Sequence, residues 1–247
     1  MSNRTPKTLR ILMYHKVSDS PPDGLNLSPA QFEEQVAWLD EKGYQTSSFM
    51  DLKESIETGK DLPRRPVIIT FDDAYENFLI HALPVLKKYK MNVTLFVPVA
   101  FLGKTNLWDR GSEKILSAEQ LKQIQNDRSV EIGIHSFLHR SYAELAPEDM
   151  KEDLENCFNT LDFHHIRTSR VLAYPYGGYP KKDPELKGRM KELFTTMQLW
   201  FAVRIGNRIN RLPVKDRYEL KRIDIKGTDS FRTFRIKLAR GRINPFA

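Results

Sequence analysis

Residues 68–78 read IITFDDAYENF, a β-rich apolar run that ends in two adjacent carboxylates, Asp72 and Asp73. Similar apolar runs alternate with helical stretches along the chain, a pattern that favours a parallel sheet with helical crossovers. About eight short strands in 247 residues fit a closed or nearly closed α/β barrel better than an open sheet. The predicted strands are residues 11–14, 44–47, 67–71, 93–97, 130–134, 171–174, 201–205 and 220–225.

The first predicted helix has clear start and stop signals. Ser28 is suited to the N-cap, and Pro29 to the first helical position. Phe32 and Val36 fall on one face, and Gly43 is a typical C-terminal stop. No linker or internal repeat interrupts the chain, so residues 1–247 are predicted to form one domain.

Composition places the chain among ordinary soluble proteins. Hydrophobic residues make up 40% of it and charged residues 29%, which argues against a disordered or membrane class. Residues 1–14 carry no stretch long enough for a secretory signal, and Cys157 is the sole cysteine, so an internal disulfide is excluded. We therefore expect a cytoplasmic protein.

The net charge is +7, and much of the excess follows Arg204. An anionic partner such as a nucleotide-sugar, an acidic glycan or a membrane surface would explain it, and so would a solvated basic face. Nucleic acid is not favoured, because no recognition motif accompanies the charge. The segment 226–247 is predicted to be mainly a basic helix that covers the barrel, with weak contact to an anionic membrane as the minor alternative.

Polar side chains collect where the predicted strands end. His15 follows the first strand, Asp72 and Asp73 follow the strand at 67–71, and His135 follows the strand at 130–134. His139 lies four residues beyond His135, a separation that lets two imidazoles converge on one ion. Active sites of α/β barrels are built at the carboxyl ends of the strands, so these residues predict a catalytic metal site with open coordination positions.

Three motifs resemble those of the polysaccharide deacetylases, a family that removes acetyl groups from N-acetylated sugars. They are TFDDAY at residues 70–75, HSFLH at 135–139 and YPYGG at 174–178, and the resemblance extends over roughly residues 12–225. It is nearest to members that act on surface-polysaccharide amino sugars. The resemblance implies a distorted (β/α) barrel, in agreement with the strand pattern.

Residue roles follow from the resemblance at the matching positions. It implies that Asp73, His135 and His139 bind one divalent metal ion, and that Asp72 is the general base that deprotonates the attacking water. The backbone N–H of Tyr176 would stabilise the oxyanion. Zinc is the expected metal because two histidines and an aspartate suit it, although cobalt, nickel or manganese would also fit.

The sequence departs from the family pattern in two places. Many members have an arginine near the start of the third motif, where this chain has Leu172 and Ala173. Arg222 is a candidate replacement that would pair with Asp72, and a solvent-facing Arg222 is the alternative. The late histidine that normally acts as general acid is also absent, and His15 is the candidate that lies at the right end of a strand.

Four further residues are candidates for substrate contact, and two other functions stay open. The same site could hydrolyse another C–N bond such as a formamide, or the protein could be an inactive glycan-binding or membrane-surface protein. Oligomeric state is not predicted. The candidate substrate contacts are Tyr75, Trp108, Tyr174 and Arg222.

Overall fold

The computed structural model describes residues 6–109 and 112–242. Parallel pairing runs β1–β5–β6–β7–β8–β9–β11 and returns to β1, which closes a barrel of seven strands and confirms the predicted fold class. The strands in these ranges are β1 (Thr8–Tyr14), β2 (Lys16–Val17), β3 (Asn26–Leu27), β4 (Gln45–Thr46), β5 (Pro66–Phe71), β6 (Val93–Val97), β7 (Val130–Ile134), β8 (Val171–Ala173), β9 (Phe201–Ile205), β10 (Asn210–Arg211) and β11 (Leu220–Asp224).

Four short strands lie outside the barrel. The predicted strand at 44–47 forms only the two-residue strand β4. It pairs with the amino-terminal end of β5 and is not a barrel strand. The sequence pattern did not predict β10, which pairs antiparallel with β1, or the small β2–β3 pair. Two-residue strands carry too few residues for a period to be recognised.

Helices cover the outside of the barrel. Ser28 caps α1 as predicted, and the helix ends at Glu41, two residues before Gly43. The Ser28 hydroxyl accepts from the Gln31 N–H while the Gln31 side chain accepts from the Ser28 N–H, a reciprocal cap that fixes the start of the helix. The helices are α1 (Pro29–Glu41), α2 (Phe49–Thr58), α3 (Leu83–Lys88), α4 (Ala118–Ile124), α5 (Pro147–Phe163), α6 (Pro184–Thr196) and α7 (Phe231–Arg240).

The inside of the barrel is mainly apolar at one end and polar at the other. Side chains alternate along a strand, so the inner face of β5 carries Ile68 and Thr70 and is followed by Asp72. By the same alternation, β11 directs Leu220 and Arg222 inward. Thr70, Asp72 and Arg222 lie near the carboxyl ends of the strands, and Thr94 and Glu131 form a separate polar pair near the amino end.

Aromatic rings close the amino end of the barrel. Phe49, at the start of α2, lies 6.0 Å from Phe96 and 6.0 Å from Phe201, measured between ring centroids. Gly133 makes room for Phe96, because a Cβ at this glycine would lie 2.7 Å from the ring. Ligands therefore have access to the barrel only from the carboxyl end.

The basic segment after residue 226 forms α7, which packs against the barrel. Phe234 and Leu238 are buried, and the Phe234 ring lies 6.0 Å from Trp38 of α1. Lys237 donates to the Asp224 carbonyl and pairs with Asp229, which ties α7 to the end of β11. The last five residues of the predicted segment, 243–247, lie outside the described residues. None of the described helices combines the length and apolarity needed to cross a bilayer.

Candidate active site

The ends of β5 and β7 bring the predicted metal ligands together. Asp73 follows β5 with φ +67°, a left-handed conformation that turns its carboxylate toward the barrel axis. His135 follows β7 directly, and Ser136 and His139 in the next turn have φ +65° and +55°. Such conformations are unfavourable for residues other than glycine, and they persist where surrounding contacts hold them.

The three side chains fit one metal ion. The Asp73 Oδ1 atom lies 3.2 Å from His139 Nε2 and 3.6 Å from His135 Nε2. Metal–ligand bonds of about 2.0–2.1 Å place neighbouring ligand atoms of a tetrahedral ion about 3.3 Å apart, so the spacing suits zinc or a similar ion. Buried Asp73 Oδ1 also has no hydrogen-bond partner, which is consistent with an atom reserved for a cation.

Partners on the opposite ring nitrogens orient both imidazoles. His135 Nδ1–H donates to the Ala173 carbonyl at 2.7 Å, and His139 Nδ1 lies 3.2 Å from the Tyr176 hydroxyl oxygen. The carbonyl partner leaves His135 Nε2 as a lone-pair donor, and the Tyr176 hydroxyl can accept from Nδ1–H when His139 Nε2 binds a metal. Burial lowers the pKa of His135 to about 4, so this imidazole is neutral at physiological pH, the form that a metal requires.

Asp72, the neighbour of the metal-binding carboxylate, pairs with Arg222. The Arg222 Nη1 and Nη2 atoms donate to Asp72 Oδ1 at 2.5 Å and Oδ2 at 2.7 Å. Burial raises the pKa of Asp72, but the Arg222 guanidinium and His135 outweigh it and hold that pKa below its usual range. Arg222 is 1% exposed, so the solvent-facing alternative is wrong. Both terminal nitrogens of its guanidinium donate to Asp72.

Replacement of Arg222 by methionine is expected to lower the free energy of unfolding by about 3–5 kcal/mol, because it leaves the buried Asp72 carboxylate without its partner. Urea denaturation at pH 7 would measure the change. The double variant Asp72→Asn/Arg222→Met should recover much of the loss, since no charge is then left unpaired. A single variant as stable as the wild type would show that the pair does not hold this end of the barrel.

A second buried acid supports the HSFLH turn. Asp153 of α5 accepts from the Ser136 hydroxyl and the Phe137 N–H, both at 2.9 Å, and from the Tyr142 hydroxyl at 2.6 Å. Burial raises the pKa of Asp153 despite these donors. Asp153 therefore holds Ser136, the first left-handed residue of the turn, and through the rest of the turn it fixes the position of His139.

The variant Asp153→Asn is expected to weaken metal binding roughly 10- to 100-fold, the effect typical of losing a group that orients a ligand. The two Asp153 carboxylate oxygens accept from three donors. In asparagine an NH₂ group, itself a donor, replaces one of these oxygens, so at least one of the three hydrogen bonds is lost. Isothermal titration with Zn²⁺ would measure the affinity, and Asp162→Asn at the exposed end of α5 is the matched control. Equal affinity in both variants would contradict the supporting role.

His15 lies at the same rim as the metal ligands. Its Nε2 atom is 3.9 Å from Asp72 Oδ2, its side chain is 14% exposed, and it lines the cavity above the site. The buried His15 Nδ1 has no partner among the described residues. Barrel geometry therefore brings together the base, the metal ligands and the predicted general acid.

Two aromatic residues form walls around His139. The Trp108 ring stacks on the His139 ring with centroids 4.1 Å apart, and the Tyr176 ring meets it edge-on at 4.9 Å. Lys16 is buried and pairs with Asp109 at 2.9 Å, which holds the Trp108 loop against the barrel. The oxyanion role of the Tyr176 N–H stays a prediction.

Three of the four predicted substrate contacts, Trp108, Tyr174 and Arg222, line the cavity, and their contact with a substrate stays a prediction. Tyr75 does not line it. Tyr75 is fully buried and its ring lies under the Lys16 ammonium, so that part of the prediction is wrong. The Tyr174 hydroxyl is buried and donates to the Tyr218 carbonyl at 3.0 Å.

The cavity above the ligands has a volume of about 340 Å³. It is lined by all the catalytic candidates, by Trp108, and by residues from the ends of β9 and β11. A sequence profile of polysaccharide deacetylases matches residues 59–189, a range that includes both aspartates and both metal-binding histidines. The chain belongs to the polysaccharide deacetylase family.

Relatives of this chain include bacterial proteins. It is 30% identical over 174 residues to the Bacillus subtilis protein YxkH, covering 70% of this chain and 58% of that protein. It is 29% identical over 185 residues to the poly-β-1,6-N-acetyl-D-glucosamine N-deacetylase of Staphylococcus aureus, covering 70% of this chain and 61% of the enzyme. The chain thus spans about three-fifths of the length of these two relatives.

Solved structures share the fold of this deacetylase. The structure of IcaB from Ammonifex degensii superposes with a TM-score of 0.77 at 22% identity, over 97% of this chain and 99% of that one. At this identity the likeness establishes the barrel fold.

Proposed function

We propose that this deacetylase hydrolyses the acetamido group of an N-acetylated amino sugar in a metal-dependent reaction. The observation that carries the proposal is the arrangement of two adjacent carboxylates. Asp73 shares an ion-sized space with two histidines, whereas Asp72 lies beside it, paired with Arg222. Metal-assisted hydrolysis needs this division between a ligand and a free base.

The chain's own residues account for the proton transfers. A bound divalent ion would polarise the amide carbonyl and lower the pKa of the attacking water. Asp72 takes a proton from that water as its oxygen attacks the carbonyl carbon, and the Tyr176 N–H donates to the carbonyl oxygen as it becomes negative. The C–N bond then breaks, His15 Nε2–H donates its proton to the departing amine, and acetate leaves.

The metal and the physiological setting form part of the proposal. We favour zinc because imidazole nitrogen is a borderline ligand that suits it and zinc also binds carboxylate oxygen, and cobalt, nickel and manganese are the alternatives. The partner is a carbohydrate, and the cytoplasmic location and the weak membrane contact predicted from the sequence stay predictions.

The decisive experiment is elemental analysis of the purified protein together with acetate release from N-acetylated UDP-sugars, lipid-linked sugars and short oligosaccharides. Acetate release that chelation abolishes and added metal restores would support the proposal. Formate release from N-formyl analogues without acetate release would favour the alternative C–N bond. A metal-loaded protein that binds glycans without turnover would favour an inactive binding protein.

A further inference from the structure

The mouth of the cavity is unusually apolar for a site that takes a sugar. Among the described residues, eight large hydrophobic side chains are exposed, and half of them either line this cavity or directly precede a residue that lines it. We call these four the apolar collar. They are Leu107, which is 79% exposed, Leu138 at 51%, Tyr176 at 62% and Ile205 at 37%.

The position of each collar residue relative to the cavity follows from its contacts or from its neighbours in the sequence. Leu107 directly precedes Trp108, whose ring is stacked on His139, and Leu138 directly precedes His139 itself. Tyr176 bonds to His139 through its hydroxyl. Ile205 ends β9, lines the cavity, and lies against Gly177, where a Cβ would come within 3.3 Å of it. Tyr176 and Ile205 therefore lie on the rim, and Leu107 and Leu138 are each one residue away from a side chain of the rim.

The chemistry of the collar does not match a polar sugar chain. Three of its members are aliphatic, so they offer neither hydrogen bonds to hydroxyl groups nor an aromatic face on which a sugar ring could stack. A clustered, exposed apolar surface beside a site generally marks a place that binds an apolar partner. The cavity of about 340 Å³ is near the small end for ligand sites, which suits one sugar residue rather than several.

Two basic side chains, those of Lys226 and Arg140, belong to the same part of the chain surface or directly follow a residue of the cavity lining. Lys226 lines the same cavity with a side chain that is 46% exposed, although Asp224 lies 3.6 Å from its ammonium. Arg140 follows His139 directly and is exposed, and its guanidinium has no side-chain partner within residues 6–109 and 112–242. Positive charge next to an apolar rim complements a ligand that has an anionic link followed by an apolar chain.

We propose that the N-acetyl sugar acted on by this site is carried on an anionic lipid. The sugar enters the cavity, a phosphate link faces Lys226 and Arg140, and the first carbons of the lipid chain lie on the apolar collar. This inference rests on the proposed deacetylase function and names the substrate class for it.

The test compares three soluble probes built on N-acetylglucosamine or N-acetylgalactosamine: the methyl glycoside, the octyl glycoside and the octyl phosphodiester. Each buried methylene improves binding about fourfold, so two or three methylenes on the collar should lower KM roughly 10- to 100-fold from the methyl to the octyl glycoside. The octyl phosphodiester should have a lower KM still, and that further gain should diminish at high salt.

Variants test whether the collar causes the effect. Leu107→Ser should raise KM for the octyl glycoside roughly 3- to 10-fold and change KM for the methyl glycoside less than twofold. Ile80→Ser is the matched control, because Ile80 is 67% exposed on the helical turn after β5 and, unlike Leu107, is not next to any residue of the cavity lining. Loss of the chain-length effect in both variants would contradict a role of the collar.

The outcomes separate this inference from the function on which it rests. Acetate release from all three probes with equal KM values would overturn the lipid-carried substrate and leave the deacetylase intact. An octyl phosphodiester that binds no better than the octyl glycoside would overturn the anionic link. Stimulation of methyl glycoside hydrolysis by phosphatidylglycerol vesicles, without a chain-length effect, would assign the collar to a membrane surface instead. Release from no probe would contradict the proposed function itself.

Discussion

The variant His135→Ala is expected to lose at least 100-fold in zinc affinity and to lose measurable turnover with it, whereas Asp72→Asn should keep its metal and lose turnover by roughly 10²–10⁴-fold. His135 supplies one of three ligand atoms, and the remaining two hold an ion poorly. Asp72 is not needed as a ligand, but a carboxamide cannot accept the proton of the attacking water. Asp73→Asn and His139→Ala should behave like His135→Ala.

Metal content measured by mass spectrometry and acetate release measured on the same samples would separate the two roles. His81→Ala is the matched control, because His81 lies on the helical turn beyond β5 and outside the cavity lining. Normal metal content in His135→Ala would contradict the assignment of His135 as a metal ligand. Loss of metal in Asp72→Asn would show that the two carboxylates share the ion.

For His15→Ala we expect near-normal metal content and stability, with turnover lowered by roughly 10²–10⁴-fold. The His15 side chain lines the cavity, and its Nε2 atom lies 3.9 Å from Asp72 Oδ2, so it can reach a departing nitrogen above Asp72. An imidazole can donate a proton near neutral pH, and the alanine variant removes that donor. Substrates with better leaving groups need less protonation and should be slowed less.

A control variant and a series of leaving groups distinguish loss of acid catalysis from a general loss of activity. His164→Ala, at the end of α5 and remote from the cavity, should have wild-type kinetics. Plotting the rate ratio of wild type to His15→Ala against the leaving-group pKa should give a positive slope. A ratio that stays constant across the series, or a His15→Ala variant with ordinary turnover on plain acetamides, would mean that a water or a substrate group supplies the proton.

The sequence predicted the barrel and the metal ligands because both depend on local patterns. Buried strands form compact apolar runs, and the residues directly after them must lie at one rim of a parallel barrel. That reasoning located Asp72, Asp73, His135 and His139 before any coordinates were known. It also placed His15 at the rim, since only one residue separates it from the buried Met13 on the inner face of β1.

Long-range pairs were harder to predict. Arg222 lies 150 residues after Asp72, and an arginine in a strand is more often at the surface, so the residue type argued against burial. The alternation of Leu220 and Arg222 in β11 was the available signal for an inward side chain. Nothing local distinguished Asp153 from the other acids of α5, because its role depends on where the HSFLH turn packs.

Tyr75 was wrongly predicted to reach the cavity for a related reason. It follows β5 closely, which suggested the cavity, but the direction of a side chain after a strand depends on the backbone turn there. The chain turns sharply at Asp73 and Ala74, which have φ +67° and +51°, and Tyr75 is carried behind the rim. A period of two cannot be extended past the last paired residue of a strand.

The pairing of Asp72 with Arg222 also has a consequence for the newly made chain. Synthesis runs from the amino terminus, so β5 and both carboxylates leave the ribosome long before β11, the strand that closes the barrel beside β1. Until then Asp72 has no guanidinium partner and no enclosed cavity. A nascent chain that has emerged only as far as β9 thus carries all the predicted metal ligands but lacks both the guanidinium that holds Asp72 and the strand that encloses the cavity.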